Sequence, residues 1–262
     1  MADDLMLLGP VVPAFAGVLG LVLGSFLNVC ILRWPRDESV VRPPSRCPGC
    51  GSDIAWYDNI PVVSWILLRG KCRRCGERIS IQYPLVELAT GLLWAWMAWR
   101  HGVTLEALRG AAFGTILLGI AMADGKFYLI PDEFTLGGLA IGLAFSLAGG
   151  PPSLGQAVLG AAVGFGLLWL VGILGTLAFK EEAMGGGDIK MMAMVGAFVG
   201  WPGVLLTIFL GALLGSVIFV PLALAGRKKH VPFGVFLALG AAAAYVAGPS
   251  LLAWYRDTFL FG

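Results

Sequence analysis

The feature that most constrains this chain is a succession of apolar runs, each near the length that crosses a membrane. The hydrocarbon core of a bilayer asks a helix for about 20 apolar residues. Eight stretches meet or approach that length: 10–32, 84–99, 105–122, 134–148, 154–179, 189–199, 204–225 and 231–247. The second and sixth are short and need flanking residues to reach across. Only helices and closed barrels satisfy their backbone groups in lipid. A barrel would show alternating strands of about ten residues, whereas these runs are unbroken and rich in Leu, Ala and Gly. Charge agrees, because 13% of the 262 residues are charged against about 25% in soluble domains. A water-soluble globule and a disordered chain are excluded. The expected fold is an all-α polytopic membrane protein with about eight transmembrane helices. No internal repeat is evident. The first run follows Asp3 and Asp4 rather than a basic stretch and lacks a small-residue cleavage site, so it reads as a retained helix.

Lys and Arg set the orientation. If loop 33–83 is cytoplasmic, alternation also places 123–133, 180–190 and 226–230 inside. These loops hold fifteen of the eighteen basic residues, including Lys126, Lys180, Lys190, Arg227, Lys228 and Lys229. Only Arg100, Arg109 and Arg256 are left outside, and both termini face out. The organisation expected is a first helix over 1–32, a loop domain over 33–83, and a membrane domain over 84–262. Only that loop is long enough to fold, and at about 50 residues it needs a staple to do so.

The staple is legible. Cys47-Pro48-Gly49-Cys50 and Cys72-Arg73-Arg74-Cys75 have the spacing of a tetrahedral zinc site. Each pair presents two thiolates from a tight knuckle, and Gly51 and Gly76 follow where the chain must turn sharply. Arg46, Lys71, Arg73 and Arg74 offset the charge of four thiolates. Free thiols or a dithiol redox pair are the alternatives, but nothing nearby resembles a thioredoxin-type fold. The fifth cysteine, Cys30, sits among apolar residues of the first helix and reads as a small buried hydrophobe.

Ionisable residues at membrane spans are costly and mark function by default. Asp124 ends the third span, and Asp188 opens the sixth after Gly185-Gly186-Gly187. Topology places both at the cytoplasmic boundary. The glycines are expected to give close backbone approach and φ values that other residues do not tolerate. Two close carboxylates cannot both ionise, so one keeps a proton while the other acts as base. A water between them can then attack a peptide carbonyl. The plainer readings are a helix N-cap for Asp188 and an exposed loop charge beside Lys126 for Asp124. Asp132 and Glu133 suit the start of a helix, and Glu87 is expected to pair with a loop arginine.

Taken in order, these motifs resemble the bacterial type IV prepilin peptidase family. The resemblance runs through Gly24-Ser25-Phe26-Leu27-Asn28-Val29, Arg33-Trp34-Pro35, Arg46-Cys47-Pro48-Gly49-Cys50 and Trp56-Tyr57-Asp58-Asn59-Ile60-Pro61. It continues through Arg69-Gly70-Lys71-Cys72, Tyr83-Pro84-Leu85-Val86-Glu87 and Asp124 with Ile130-Pro131-Asp132. Met184-Gly185-Gly186-Gly187-Asp188-Ile189-Lys190 and Val231-Pro232-Phe233-Gly234 complete it; the family usually has Ile at the position of Val231.

The resemblance implies an inner-membrane aspartic protease of the Gly-x-Gly-Asp class. Such enzymes remove the leader of type IV prepilins and of type II secretion pseudopilins on the cytoplasmic side. They then methylate the new N-terminus using S-adenosylmethionine. Carried over, the catalytic pair falls on Asp124 and Asp188, with Gly185 and Gly187 as motif support. The family places methyl transfer with the cytoplasmic loop, which points to Gly70 and Lys71; a turn leading into the Cys72 knuckle is the other reading of that pair. Prepilin and pseudopilin substrates and membrane lipid are the implied partners, and nucleic acid is not. A preflagellin-type or presenilin-like enzyme would share the two aspartates but lack the four-cysteine loop. A pilus-assembly scaffold would have no need of the aspartates, and a transporter would carry an acid near the bilayer midplane.

Overall fold

The computed structural model describes residues 9–224, 232–255 and 257–258, and their side chains except those of Ala223 and Leu252. Asp3, Asp4, Val231, Arg256 and the basic segment Arg227, Lys228 and Lys229 lie outside the described residues. Eight α-helices are present among the described residues: α1 (Val11–Arg33), α2 (Val63–Leu67), α3 (Gln82–His101), α4 (Leu105–Phe127), α5 (Asp132–Leu147), α6 (Leu154–Phe179), α7 (Gly186–Leu224) and α8 (Phe233–Tyr255). Among the described residues, the β-pairing is confined to isolated bridges at Arg46–Asp53 and Lys71–Arg78. The chain is an all-α, multi-pass membrane protein. Five helices (α1, α4, α6, α7 and α8) are long and apolar enough to cross a bilayer.

The chain divides into two compact units, Met1–Gly119 and Ile120–Gly262, the boundary falling within α4. In the first unit α1 packs antiparallel on α3. A side chain at Gly20 would collide with the Thr90 carbonyl at 2.7 Å, and one at Gly24 with the Glu87 backbone at 2.7 Å. Small residues let the helix backbones touch where lipid supplies no hydrophobic driving force. Buried Asn28 ties the pair together, donating from Nδ2 to the Tyr83 carbonyl at 3.0 Å.

In the second unit α6 shows the inside-out pattern of a membrane helix. Its buried residues are Ala157, Gly160, Gly164, Leu168 and Gly172, at helical spacing. Phe165, Trp169 and Leu170 are exposed. An added Cβ at Gly160 would fall inside the Gly196 backbone, and one at Gly164 inside that of Met192, so α6 and the start of α7 run antiparallel.

Helix α7 is interrupted at Gly200, whose φ of 68° and ψ of 175° are not helical. Pro202 follows, where a new helix tolerates a missing N–H. As one straight helix, α7 would separate Gly187 from Phe219 by ~48 Å. Yet Gly187 abuts Ile130, Ile130 abuts Gly234, and Phe236 stacks edge-on against Phe219 at 5.6 Å between ring centres. The arms 186–199 and 201–224 therefore run back on each other. Two of the expected spans, 189–199 and 204–225, are these two arms.

Arg109 lies buried in the second turn of α4, within the expected 105–122 span. One expectation needs correction. Residues 46–53 and 71–78 form a local repeat. In each, the first Cys N–H donates five residues on, to Ser52 and Glu77, and the Gly51 and Gly76 amides donate back to Cys47 and Cys72.

Candidate active site and metal centre

Asp124 and Asp188 lie on either side of Ile130 in the second unit: the turn that carries Asp188 abuts Ile130 through Gly187, and Ile130 and Asp124 both abut Gly234. Asp124 sits in the last turn of α4, which runs on to Phe127, and only 6% of it is exposed. It is not the exposed loop charge. Its Oδ2 accepts the Val235 N–H at 3.1 Å. Asp124 thus caps the first turn of α8, where unpaired N–H groups and the helix dipole favour a carboxylate. Gly234 makes this possible. A Cβ there would lie 2.9 Å from Asp124 Oδ2 and 2.6 Å from Ile130 Cδ1.

Asp188 is the third residue of α7, inside the first turn rather than at an N-cap. Its Oδ1 is buried and has no hydrogen-bond partner among the described residues. The preceding glycines act through space and not through unusual φ, since none of Gly185, Gly186 and Gly187 has positive φ. A Cβ on Gly187 would meet Ile130 Cβ at 3.0 Å, and one on Gly185 would lie 3.4 Å from Asp188 Oδ2. Ile130 is the common wedge, touching both Gly187 and Gly234.

Asp132 opens α5, as expected, and does more. Lys190 Nζ donates to both of its carboxylate oxygens at 2.7 Å, joining the segment after Asp124 to the turn that carries Asp188. This pair, Ile130 and the Gly234–Val235 amides are the site features that residue-by-residue reading missed. The one available signal was a glycine directly after a Pro-Phe helix start.

In the first unit the Sγ atoms of Cys47, Cys50, Cys72 and Cys75 all lie within 4.8 Å of one another. Cys47 Sγ and Cys75 Sγ are 3.7 Å apart. Tetrahedral thiolates about 2.3 Å from a metal sit about 3.8 Å from each other, so the donor set and its spacing fit a metal ion. Gly51 and Gly76 have φ of 67° and 74° with open space around them, so conformation alone demands glycine there. The Ser52 hydroxyl, 2.9 Å from Cys50 Sγ, holds that thiol down to about 6, toward the thiolate a metal needs. Arg73 forks onto Asp58 at 2.6–3.0 Å and keeps its carboxyl below the usual range. Cys30 is buried in α1.

Gly70 has φ of 65° and lies under the Trp65 indole, 2.9 Å from where a Cβ would stand; Lys71 is exposed. Glu87 does not pair with a loop arginine. Its Oε2 accepts the backbone N–H of Val62 at 2.8 Å.

Fold and site together define a helical membrane protein with two acidic side chains converging at one end of a helix bundle. Residues 18–101 match the Bacterial Peptidase A24 N-terminal domain, and residues 111–220 match the Type IV leader peptidase family. The chain is 36% identical to a prepilin leader peptidase/N-methyltransferase of Neisseria gonorrhoeae, over 95% of both chains. It is 39% identical to the Stutzerimonas stutzeri protein of that name, over 91% of both. With the Myxococcus xanthus protein, identity is 42% over 83% of this chain and 65% of the relative. The chain belongs to the type IV leader peptidase family. No solved structure matches it.

Proposed function

We infer that this chain is a prepilin leader peptidase with coupled N-methyltransferase activity, acting on prepilins and pseudopilins from within the bacterial inner membrane. The observation that carries the peptidase reading is the meeting of the Asp124 and Asp188 turns around Ile130 and Gly234 within a membrane helix bundle. Of the two, the ionised carboxylate takes a proton from a water, whose oxygen attacks the scissile carbonyl. The protonated partner hydrogen-bonds the carbonyl oxygen and then passes its proton to the leaving amine. Asp188 Oδ1, which has no other partner, is the oxygen free for this exchange, while Asp124 is held by the Val235 amide. Gly185 and Gly187 keep the turn close.

We read the chain as crossing the membrane eight times. To the five long apolar helices we add α3, α5 and the second arm of α7, which Gly200 turns back across the bilayer. The excess of Lys and Arg then sets loop 33–83 and both aspartates on the cytoplasmic side, with the termini outside. The peptidase domain occupies 84–262 and the loop domain 33–83, held by zinc on Cys47, Cys50, Cys72 and Cys75. S-adenosylmethionine supplies the methyl group when bound. Lys71, exposed on this loop, offers a cation for its carboxylate; Gly70, closed off by Trp65, holds the turn.

Purified protein incubated with a prepilin and read by intact mass tests both activities. Loss of the leader reports cleavage, and the further mass of one methyl group reports transfer. Lys71→Ala should reduce methylation more than cleavage. Equal loss of both would return Lys71 to a folding role.

A further inference from the structure

The loop of the first unit contains an apolar surface that neither the metal cluster nor the aspartates use. On the five-residue helix α2, Val63 (49%), Ile66 (61%) and Leu67 (76%) are exposed, while Ser64 is buried. The inward side is fully engaged. Ser64 Oγ accepts the Ile60 N–H at 3.1 Å and donates to the Tyr57 carbonyl at 2.9 Å. Trp65 Nε1 donates to the Ile79 carbonyl at 3.1 Å. The large apolar side chains are left facing outward.

The depth of this surface is fixed by Glu87. Val62 sits at φ 62° and ψ −48°, with Val63 N donating to the Pro61 carbonyl at 2.6 Å. This is a γ-turn of the rare positive-φ kind, strained for any residue and most of all for a β-branched one. The Val62 N–H so exposed is taken up by buried Glu87, five residues into α3 and thus ~7.5 Å along its axis. At that level α3 already presents Leu85 and Leu88 outward. The apolar face of α2 is therefore held level with the first outward-facing leucines of a membrane helix, with exposed Arg69 and Lys71 directly after it.

We propose that residues 60–67 form an interfacial anchor, whose apolar face enters the headgroup–acyl boundary of the phospholipid leaflet next to the loop. Both ends of the loop emerge from membrane helices, so its surface is continuous with theirs. The loop also carries nine basic against five acidic residues, which suits an anionic leaflet. The anchor fixes the height of the cysteine knuckles over the membrane. The inference rests on α3 being a span and is independent of the peptidase chemistry.

The test uses the unmodified full chain in nanodiscs of phosphatidylethanolamine and phosphatidylglycerol. They are doped with a phospholipid bearing a diazirine near its glycerol end, photolysed, and label is mapped by peptide mass spectrometry. Label on 60–67 should exceed label on the polar knuckle 72–78 by about threefold or more. Leu92, outward-facing on α3, should be labelled as well by a probe placed deeper in the acyl chain. A labelled Leu92 with a smaller ratio on 60–67 overturns the anchor and leaves the face to a protein partner. An unlabelled Leu92 overturns the span itself, and the anchor with it.

Discussion

Asp124 accepts the backbone N–H of Val235, 111 residues further along the chain, at 3.1 Å. One acid thereby fixes the start of the last helix, and that helix in turn fixes the acid. Gly234 is the clearance between them, so Gly234→Ala should push Asp124 and Ile130 apart from α8. A displacement near 1 Å costs about 10²-fold in catalysis. We expect cleavage to fall by about that factor in kcat, with the protein still inserted and folded. Near-normal kcat in Gly234→Ala would show that this contact does not position Asp124.

The Asp132–Lys190 pair has a different weight. Both side chains are partly exposed, and exposed pairs contribute only about 0.2–1 kcal/mol. Asp132→Asn and Lys190→Gln should each slow cleavage by less than about fivefold. Exchanging the two charges should restore part of the loss. A complete loss in either single variant would put that side chain in the chemistry itself.

The metal cluster makes a pH-dependent prediction. Thiolates bind metal and thiols do not, so acid must release the ion and affinity rises with pH. A chelator should strip metal much faster near about pH 5 than near about pH 8. Cys47→Ser should lower metal content, whereas Cys30→Ser should leave it at about one ion per chain. Metal content unchanged in Cys47→Ser would contradict the site.

The turn at Gly200 predicts sidedness. Labels at Pro151 and Trp201 should be reached from one face of the membrane and a label at Lys180 from the other. Trp201 labelling together with Lys180 would contradict the fold-back.

Much of this was legible beforehand. Apolar length located the helices because lipid leaves a span few other options, and 154–179 coincides with α6 to the residue. The cysteine spacing located the cluster because a tetrahedral ion imposes its own geometry. Asp124 and Asp188 stood out because an acid beside a span is costly. What escaped were relationships between distant segments. Nothing local in Ile130 announces that it will lie between Gly187 and Gly234. The Glu87 carboxylate meets a backbone N–H, which has no signature in side-chain identity. The glycines before Asp188 suggested unusual φ, but at Gly187 closeness to Ile130 is the operative demand. The knuckle repeat at 46–53 and 71–78 was obscured because its hydrogen bonds are made by backbone.

The central claim is that Asp124 and Asp188 act as one catalytic pair. Asn keeps the size of Asp but can neither take nor give the proton. The most direct measurement is cleavage of a purified prepilin by the Asp124→Asn and Asp188→Asn proteins, followed by intact mass, with metal content and membrane insertion verified in each. The account predicts uncut substrate with both variants, and for the unsubstituted protein a bell-shaped pH–rate profile whose two limbs belong to the pair. Full removal of the leader by Asp188→Asn would contradict it.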